Sequence, residues 1–319
     1  ENSSEFLHPL LSHRHPNGIL PKLEIYQNRP TLRPLCKLVL LFFYLKNKLT
    51  KTFSLVNGSF SMDINHISVS RKDVWNKCQQ QYKYKYHLKI DTGVEEPFFF
   101  TYGSMVHKIA ELYVEKEAKV SLEKISQDIL EGKIPFDQDK DGNEIFAPTL
   151  PKEYKKRFPK HMESIQYLTD QLGTEGEIEY KFEFDIDPPN NKMIKGFIDR
   201  LIPKGDEWII IDYKTTKKGR YRKNLRTIRT DLQLRAYARV VQLEKGIPAN
   251  KIRAALYYLE DKSLIGCKFS EQSLIEAHEE LIYAYDQIKR TPENKAWGNV
   301  QDHCKFCDYR SICPFYRLT

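Results

Sequence analysis

The sequence predicts an α/β fold in which a mixed central sheet is flanked by helices. Three observations predict this class. Apolar residues recur at helical spacing between residues 102 and 172, and the period then changes to two between residues 178 and 213. Helical spacing returns after residue 228 and surrounds a further pair of strands. A helical layer followed by strands and helices in alternation indicates one mixed sheet covered by helices.

The segments follow in a definite order. Helices are predicted from Ser70, as N-cap, towards Leu88, and then over residues 102–119, 122–130, 154–172, 228–243 and 271–290. Strands are predicted over residues 178–186, 193–202, 208–213, 253–259 and 264–269. The run at 208–213 is almost wholly apolar, so we expect it at the centre of the sheet.

The first 61 residues differ from the rest of the chain. They contain scattered Pro, His and Asn and show no sustained hydrophobic period. We interpret residues 1–61 as a doubtful leader, either untranslated read-through ahead of a true start at Met62 or a disordered extension. Residues 62–319 are expected to form the functional domain.

The size and composition of the chain exclude several classes of protein. Its 319 residues are enough to bury a core, and 29% charged with 12% aromatic residues is normal for a globular protein. The longest apolar stretch, residues 38–45, is less than half the length of a membrane-spanning helix. Six cysteines are too few for a secreted disulfide scaffold. We therefore expect a cytoplasmic protein with no membrane partner, whose net charge of +8 favours polyanions wherever it is clustered.

Two aspartates and a lysine form the most informative constellation. Asp212 and Lys214 are two residues apart on the apolar strand, so their side chains share one face. The preceding strand carries Asp199, which comes close to Asp212 if the two strands pair antiparallel through a turn near Gly205. Two carboxylates beside an ammonium suit Mg²⁺ or Mn²⁺ acting on a phosphodiester. Asp212 alone would more often be a turn cap; the combination favours a metal site.

Five segments in order resemble a known family. They are SRKDVWNKCQQQYKYKY from residue 70, GSMVH from 103, GFIDR from 196, IIIDYKTT from 209 and DLQLRAYA from 231. Together they are similar to the PD-(D/E)XK nucleases, in particular to the RecB-like branch with a C-terminal cysteine cluster, which includes CRISPR-associated exonucleases and the AddB nuclease domain. The resemblance covers about residues 68–315 and implies a restriction-endonuclease-like fold.

The resemblance also implies roles for individual residues. It makes His107, Asp199 and Asp212 ligands of Mg or Mn, adds the Tyr213 carbonyl as a further ligand, and makes Lys214 catalytic beside the two aspartates. The plain alternative for His107 is a half-buried helical histidine.

Further catalytic residues are implied on the first strand and on the helix after the site. Glu179 fits the expected glutamate, although Glu177 and Glu183 are close enough to leave the choice open. Gln233 and Tyr237 are expected to support the site or the substrate. Four residues apart on a helix, they could instead serve packing alone.

The cysteines indicate a second metal centre. Cys304, Cys307 and Cys313 form a C-x2-C-x5-C pattern that lacks a fourth local ligand, and Cys78 in the opening helix is the candidate partner. The resembled family has this arrangement around a [4Fe–4S] cluster, which would join the N- and C-terminal parts of the domain. Four thiolates suit such a cluster, and zinc is the alternative because thiolates do not select one metal.

A basic segment follows the catalytic lysine. Residues 214–229 hold seven further Lys and Arg residues and no acid. Such a run is often a solvated loop, but its position favours a path for a phosphate backbone. The predicted DNA-binding residues are Arg220, Tyr221, Arg222, Lys223 and Arg226, of which Tyr221 could stack a base.

These observations favour an Mg²⁺- or Mn²⁺-dependent deoxyribonuclease that acts as an exonuclease on single-stranded DNA ends. A helicase, a CRISPR complex or a phage replication complex would be a fitting partner. The alternative is a catalytically silent iron–sulfur subunit that binds DNA ends or assists assembly of a larger complex.

Overall fold

The computed structural model describes residues 61–139, 141–219 and 222–316. Its helices are α1 Val69–Lys77, α2 Gln79–Tyr82, α3 Phe98–Glu115, α4 Leu122–Leu130, α5 Lys152–Leu172, α6 Leu232–Lys245 and α7 Glu271–Arg290. Its strands are β1 His66–Ile67, β2 Asp137–Gln138, β3 Glu144–Ile145, β4 Glu177–Asp187, β5 Lys192–Lys204, β6 Glu207–Lys214, β7 Ile252–Tyr258 and β8 Ser263–Cys267.

The main sheet is mixed, which confirms the predicted fold class. Strands β4, β5 and β6 form an antiparallel meander, β7 pairs parallel with β6, and β8 pairs antiparallel with β7. Strands β2 and β3 form a separate hairpin, which the sequence reasoning missed together with β1. The predicted central position of β6 is confirmed, because it lies between β5 and β7.

A gap in the sheet lies beside the middle of β5. Strand β4 pairs with one edge of β5 along most of its length. The opposite edge is shared by β1, at Met193 and Ile194, and by β6, from Arg200 to Lys204. Among the described strands none pairs with that edge over residues 195–199, so the sheet opens there.

The sheet is covered on both faces by apolar helices. One face packs against α1, α6 and α7, and the other against α3, α4 and α5. On β6, Ile210 belongs to the first core while Ile209 and Ile211 belong to the second, and all three are fully buried. Burial of one such side chain contributes about 1.5–3 kcal/mol, which holds β6 firmly where its polar end begins.

The opening helix differs from its prediction. Its N-cap is Ser68, whose hydroxyl accepts a hydrogen bond from the Arg71 N–H at 3.2 Å, whereas Ser70 lies inside the helix. The helix ends at Lys77 because Cys78 adopts an extended conformation with φ −165°. The chain then forms α2 and a π-turn to His87, so Cys78 lies at a break between two helices.

The predicted leader lies outside the described residues except for Ser61. Met62 is buried in the core on the α7 side of the sheet and its N–H donates to the Thr291 carbonyl at 3.3 Å. No helix within the described residues is both long and apolar enough to span a membrane.

Candidate active site

Three acidic side chains lie in one row across β4, β5 and β6. The pairs Ile178–Arg200 and Tyr180–Ile198 flank Glu179 on β4 and Asp199 on β5, and so bring these two residues side by side. The backbone pairing of β5 and β6 ends at Arg200 and Ile211, and the same register one residue further places Asp199 opposite Asp212. In place of a further backbone pair, the Asp199 carboxylate accepts a hydrogen bond from the Tyr213 N–H at 2.6 Å. The row therefore stands where the two strands separate and the gap begins.

His107 approaches this row from α3. Its Nδ1 lies 3.5 Å from Asp199 Oδ1 and its Nε2 lies 3.2 Å from the Tyr213 carbonyl oxygen. One ligand atom each from His107, Glu179 and Asp199 lies within 4.8 Å of the others. In the described part of the chain this is the single group of three His, Cys, Asp or Glu side chains close enough to share a metal ion.

Asp212 is 2% exposed and its carboxylate is turned towards other partners. Lys214 Nζ lies 2.5 Å from Oδ2, and Gln233 Nε2 donates to Oδ1 at 3.1 Å. Gln233 Nε2 also donates to the Tyr237 hydroxyl at 2.8 Å. The structure thus gathers the predicted residues of β6 and α6, while ligation by Asp212 stays a prediction.

Two of these groups hold their protons more tightly than usual, for different reasons. Burial raises the pKa of Glu179 to about 7, and the Asp199 carboxylate adds to the effect. Burial alone would lower the pKa of His107, but Asp199, Asp212 and Glu179 outweigh it and raise the pKa to about 9. Because metal ligands must be deprotonated, these protons compete with any cation that binds here.

The remaining charges are balanced by Lys214. Burial raises the pKa of Asp212 to about 6, although the Lys214 ammonium opposes the shift. Burial would also raise the pKa of Asp199, but His107 and Lys214 hold it below its usual value. Burial would lower the pKa of Lys214, yet Asp212 raises it above the ordinary value. Lys214 is therefore a permanent cation beside two carboxylates.

The structure places Glu179, rather than its two neighbours, at the site. Glu177 lies 3.0 Å from Lys245 Nζ and Glu183 lies 2.6 Å from Lys195 Nζ. Glu179 also has φ +46°, a left-handed conformation that costs a non-glycine residue about 1–3 kcal/mol. Strain at a side chain that faces His107 is typical of functional positions.

Gly196 and Phe182 pack against each other next to the site. A Cβ atom at Gly196 would lie 2.5 Å from Cζ of Phe182, so this position requires glycine. The Phe182 ring in turn packs edge-on against Tyr237, with ring centroids 5.7 Å apart. This packing fixes Tyr237 and, through its hydroxyl, the amide of Gln233. The glycine of the GFIDR segment therefore serves packing beneath the reactive groups.

Two clefts open on the site, and one side chain lines both. The larger, of about 690 Å³, is lined by Ser104, His107, Lys108, Glu111, Glu179 and Phe197, among others. The smaller, of about 470 Å³, is lined by Ser68, Asp73, Phe197, Asp199, Gln233 and Tyr237, among others. The sequence reasoning missed Phe197. Its signal was its position two residues before Asp199, within the GFIDR strand.

The four predicted cysteines line one small cavity. Cys78, Cys304, Cys307 and Cys313 surround a space of about 20 Å³, which His303 also lines. Burial raises the pKa of Cys307, and the neighbouring Cys78 and Cys304 thiols add to the shift. The structure thus brings Cys78 to the C-terminal cysteines.

Backbone and side-chain hydrogen bonds hold the two ends of the domain together. The Gln80 N–H donates to the Trp297 carbonyl at 3.0 Å, and Asn299 Nδ2 donates to the Lys77 carbonyl at 3.0 Å. Both bonds flank Cys78, so its position depends on the C-terminal segment.

Part of the basic loop is neutralised within the fold. Arg222 donates two hydrogen bonds to Asp261 at 2.9 and 2.7 Å, and its guanidinium carbon lies 4.1 Å from the ring centroid of Tyr258. Lys223 Nζ lies 3.6 Å from Asp231. The sequence reasoning did not foresee these partners, because both acids lie outside the basic run.

The rest of the predicted DNA-binding set divides in two. The side chain of Arg226 is exposed. Arg220 and Tyr221 lie outside the described residues. Contact of any of these five residues with DNA stays a prediction.

The comparisons with known proteins define the class. A family model for the PD-(D/E)XK nuclease superfamily matches residues 66–314. The chain belongs to this superfamily, whose members are metal-dependent nucleases. The crystal structure of SSO0001 is similar over 86% of this chain and 96% of its own, with 16% sequence identity and a TM-score of 0.36, which is too low to add to the argument. No curated protein matches the chain.

Proposed function

We propose that the protein is an Mg²⁺- or Mn²⁺-dependent deoxyribonuclease that degrades DNA exonucleolytically from single-stranded ends. The observation that carries this proposal is the convergence of His107, Glu179 and Asp199 within 4.8 Å, beside the Asp212–Lys214 pair. Hard carboxylate oxygens with one imidazole suit these ions. A bound cation would also offset the repulsion between the Glu179 and Asp199 carboxylates, which burial makes costly.

The residues would divide the work as follows. His107, Glu179, Asp199, Asp212 and the Tyr213 carbonyl would hold the ion, which when bound polarises the phosphate and lowers the pKa of a water molecule. Hydrolysis adds hydroxide to phosphorus and a proton to the leaving sugar oxygen.

Lys214 would supply a fixed positive charge at the reacting phosphate, since its Nζ lies 2.5 Å from Asp212 Oδ2. Its ammonium would orient the attacking water and offset the charge that develops on the phosphate oxygens. Gln233 donates to the Asp212 oxygen that Lys214 does not contact. It thereby holds the carboxylate in one orientation, which makes it a positioning residue.

We also propose membership of the RecB-like branch, with a [4Fe–4S] cluster held by Cys78, Cys304, Cys307 and Cys313. The donor set fits, because four thiols line one cavity. Zinc stays the alternative, because four thiolates do not by themselves select one metal.

The domain that carries both centres is proposed to comprise residues 62–319, in the cytoplasm. The buried position of Met62 supports a boundary close to that residue. A helicase or a CRISPR or phage replication complex would supply the single strand.

A degradation assay tests this function. Linear and circular single strands of one sequence are incubated with Mn²⁺ and either the wild type or Asp199→Asn. We expect the wild type to shorten the linear strand and spare the circle, and the variant to cut neither. Cleavage of the circle would replace the exonuclease by an endonuclease. Binding of strand ends without any cleavage would favour the silent subunit.

A further inference from the structure

Phe197 occupies the middle of the gap in the sheet. Its side chain is 52% exposed although it lies within β5. Its neighbours along the strand, Gly196 and Ile198, face the core formed with α1, α6 and α7, where Ile198 is fully buried. A single exposed phenylalanine is common on protein surfaces. The informative feature of this ring is therefore its position in the sheet, and not its exposure.

The position of the ring is set by three observations. Phe197 is two residues before Asp199, and both line the smaller cleft between α1, β5 and α6. Phe197 also lines the larger cleft beside His107 and Glu179. No described strand pairs with this edge of β5 from residue 195 to 199. The ring thus stands at the boundary between the two clefts, next to the row of acidic side chains.

Polar groups that suit a phosphate backbone lie on each side of the ring. Lys108 and Ser104 line the larger cleft, and Lys195 and Ser68 line the smaller one. A strand whose phosphate reaches Asp199 from either cleft must carry a base past Phe197. Both lysines are paired with acids, Lys108 with Glu111 and Lys195 with Glu183, so the two clefts carry mixed charge. Stacking of bases on exposed aromatic side chains is a way in which proteins hold single-stranded nucleic acid without sequence preference.

We propose that Phe197 stacks on the nucleobase next to the scissile phosphate and so holds a single strand in register with the acidic row. The inference rests on the proposed nuclease function and names a positioning residue within that site. Stacking requires an unpaired base, because the face of a base inside a duplex is already covered by its neighbours. Phe197 would therefore favour single-stranded ends over duplex.

Binding of two matched strands tests the proposal. An oligothymidylate of about 16 nucleotides and an abasic strand of the same length are titrated in EDTA, so that neither is cut. Phe197→Ala should weaken binding of the oligothymidylate by about 5- to 150-fold, the equivalent of one stacked base. Binding of the abasic strand should be unchanged, because its phosphates remain.

Conservative and distant variants complete the test. Phe197→Trp should retain the affinity, and its fluorescence should be quenched by the oligothymidylate beyond any change that the three native tryptophans show in the wild type. Tyr283→Ala removes a 66% exposed ring from α7 and should change nothing. In Mn²⁺, Phe197→Ala should raise KM more than it lowers kcat, while the melting temperature stays unchanged.

The outcomes separate the two proposals. If Phe197→Ala lowered the affinity for the oligothymidylate and for the abasic strand equally, the stacking proposal would be overturned. The substitution would then act through the fold and not through contact with a base. A wild type that cuts single strands while Phe197→Ala binds them equally well would overturn the inference and leave the nuclease standing. A wild type that neither binds nor cuts DNA would refute the proposed function itself.

Discussion

The carboxylate site, formed by His107, Glu179, Asp199, Asp212 and Lys214, differs from the cysteine cavity in what holds it together. Its acidic side chains come from three paired strands, and hydrogen bonds from Tyr213 and Gln233 fix two of them. The cysteine cavity is built from a helix break and short 3₁₀ turns, with few hydrogen bonds to its sulfurs. Paired strands therefore position the first site, whereas hydrogen bonds between two chain segments far apart in sequence position the second.

The largest effect should come from breaking the cysteine cavity. Cys78→Ser should give a colourless protein with a melting temperature lower by about 5–15 °C, because a ligand that joins the chain ends stabilises the fold by about 2–5 kcal/mol, as a disulfide does. Cys267→Ser, which alters a thiol on β8 outside the cavity, is the matched control and should remain brown. Full iron content in Cys78→Ser would show that Cys78 is not a ligand of the cluster. If the wild type contained zinc but neither iron nor sulfide, the centre would be a zinc site and not an iron–sulfur cluster.

Substitutions of two arginines in the basic loop should separate an effect on stability from an effect on DNA binding. Arg222→Ala leaves Asp261 without its bidentate partner and should lower the free energy of unfolding by about 1–3 kcal/mol. Arg226→Ala should leave stability unchanged, weaken DNA binding for all sequences alike and reduce the salt slope by about 1. Urea unfolding and salt titrations measure the two effects. A sequence-specific loss in Arg226→Ala would indicate base readout instead.

Glu179 should show a conflict between stability and function. Glu179→Gly relieves the left-handed backbone and should stabilise the protein by about 1 kcal/mol, whereas cleavage in Mn²⁺ should fall sharply because a ligand is lost. Glu183→Gln, on the same strand, should retain activity. Thermal unfolding and the degradation assay report the two quantities. A fully active Glu179→Gly would return the choice of glutamate to Glu177 or Glu183.

The smallest effect concerns pH and a network beneath the site. His161 is fully buried, with its Nδ1 2.9 Å from the Tyr102 hydroxyl and its Nε2 3.1 Å from Glu260. Burial lowers the pKa of His161 below 6.5. The unfolded chain therefore binds the proton first as the pH falls. The contribution of His161 to the free energy of unfolding is therefore present above pH 6.5, and it is lost as the pH falls towards the pKa of His161 in the folded protein.

Unfolding by urea at several pH values checks this sign. Over the same interval the raised pKa values of Glu179 and Asp212 act in the opposite sense, so the effect of His161 is the difference between the wild type and His161→Gln. The stability advantage of the wild type over His161→Gln should shrink as the pH falls from 6.5 to 5. An advantage that grows over this interval would contradict the assignment.

The strand positions of the site were predictable, and its fine geometry was not. Period-two spacing placed Asp212 and Lys214 together, and the meander brought Asp199 beside them. The left-handed backbone at Glu179 could not be predicted, because non-glycine residues rarely adopt it and nothing in the local sequence marks it. The partner of Arg222 was missed for a related reason, since Asp261 joins it only through the fold. The gap that exposes Phe197 depends on β1, a strand of two residues.

The most direct test of the central claim compares Asp212→Asn with the wild type on a labelled single strand in Mn²⁺. The account predicts that the variant loses turnover by about 10²- to 10³-fold or more, while its affinity for the strand is equal or higher, because a negative charge near the phosphate is removed. Lys214→Ala should lose turnover to a similar extent. Wild-type turnover in Asp212→Asn would contradict the account.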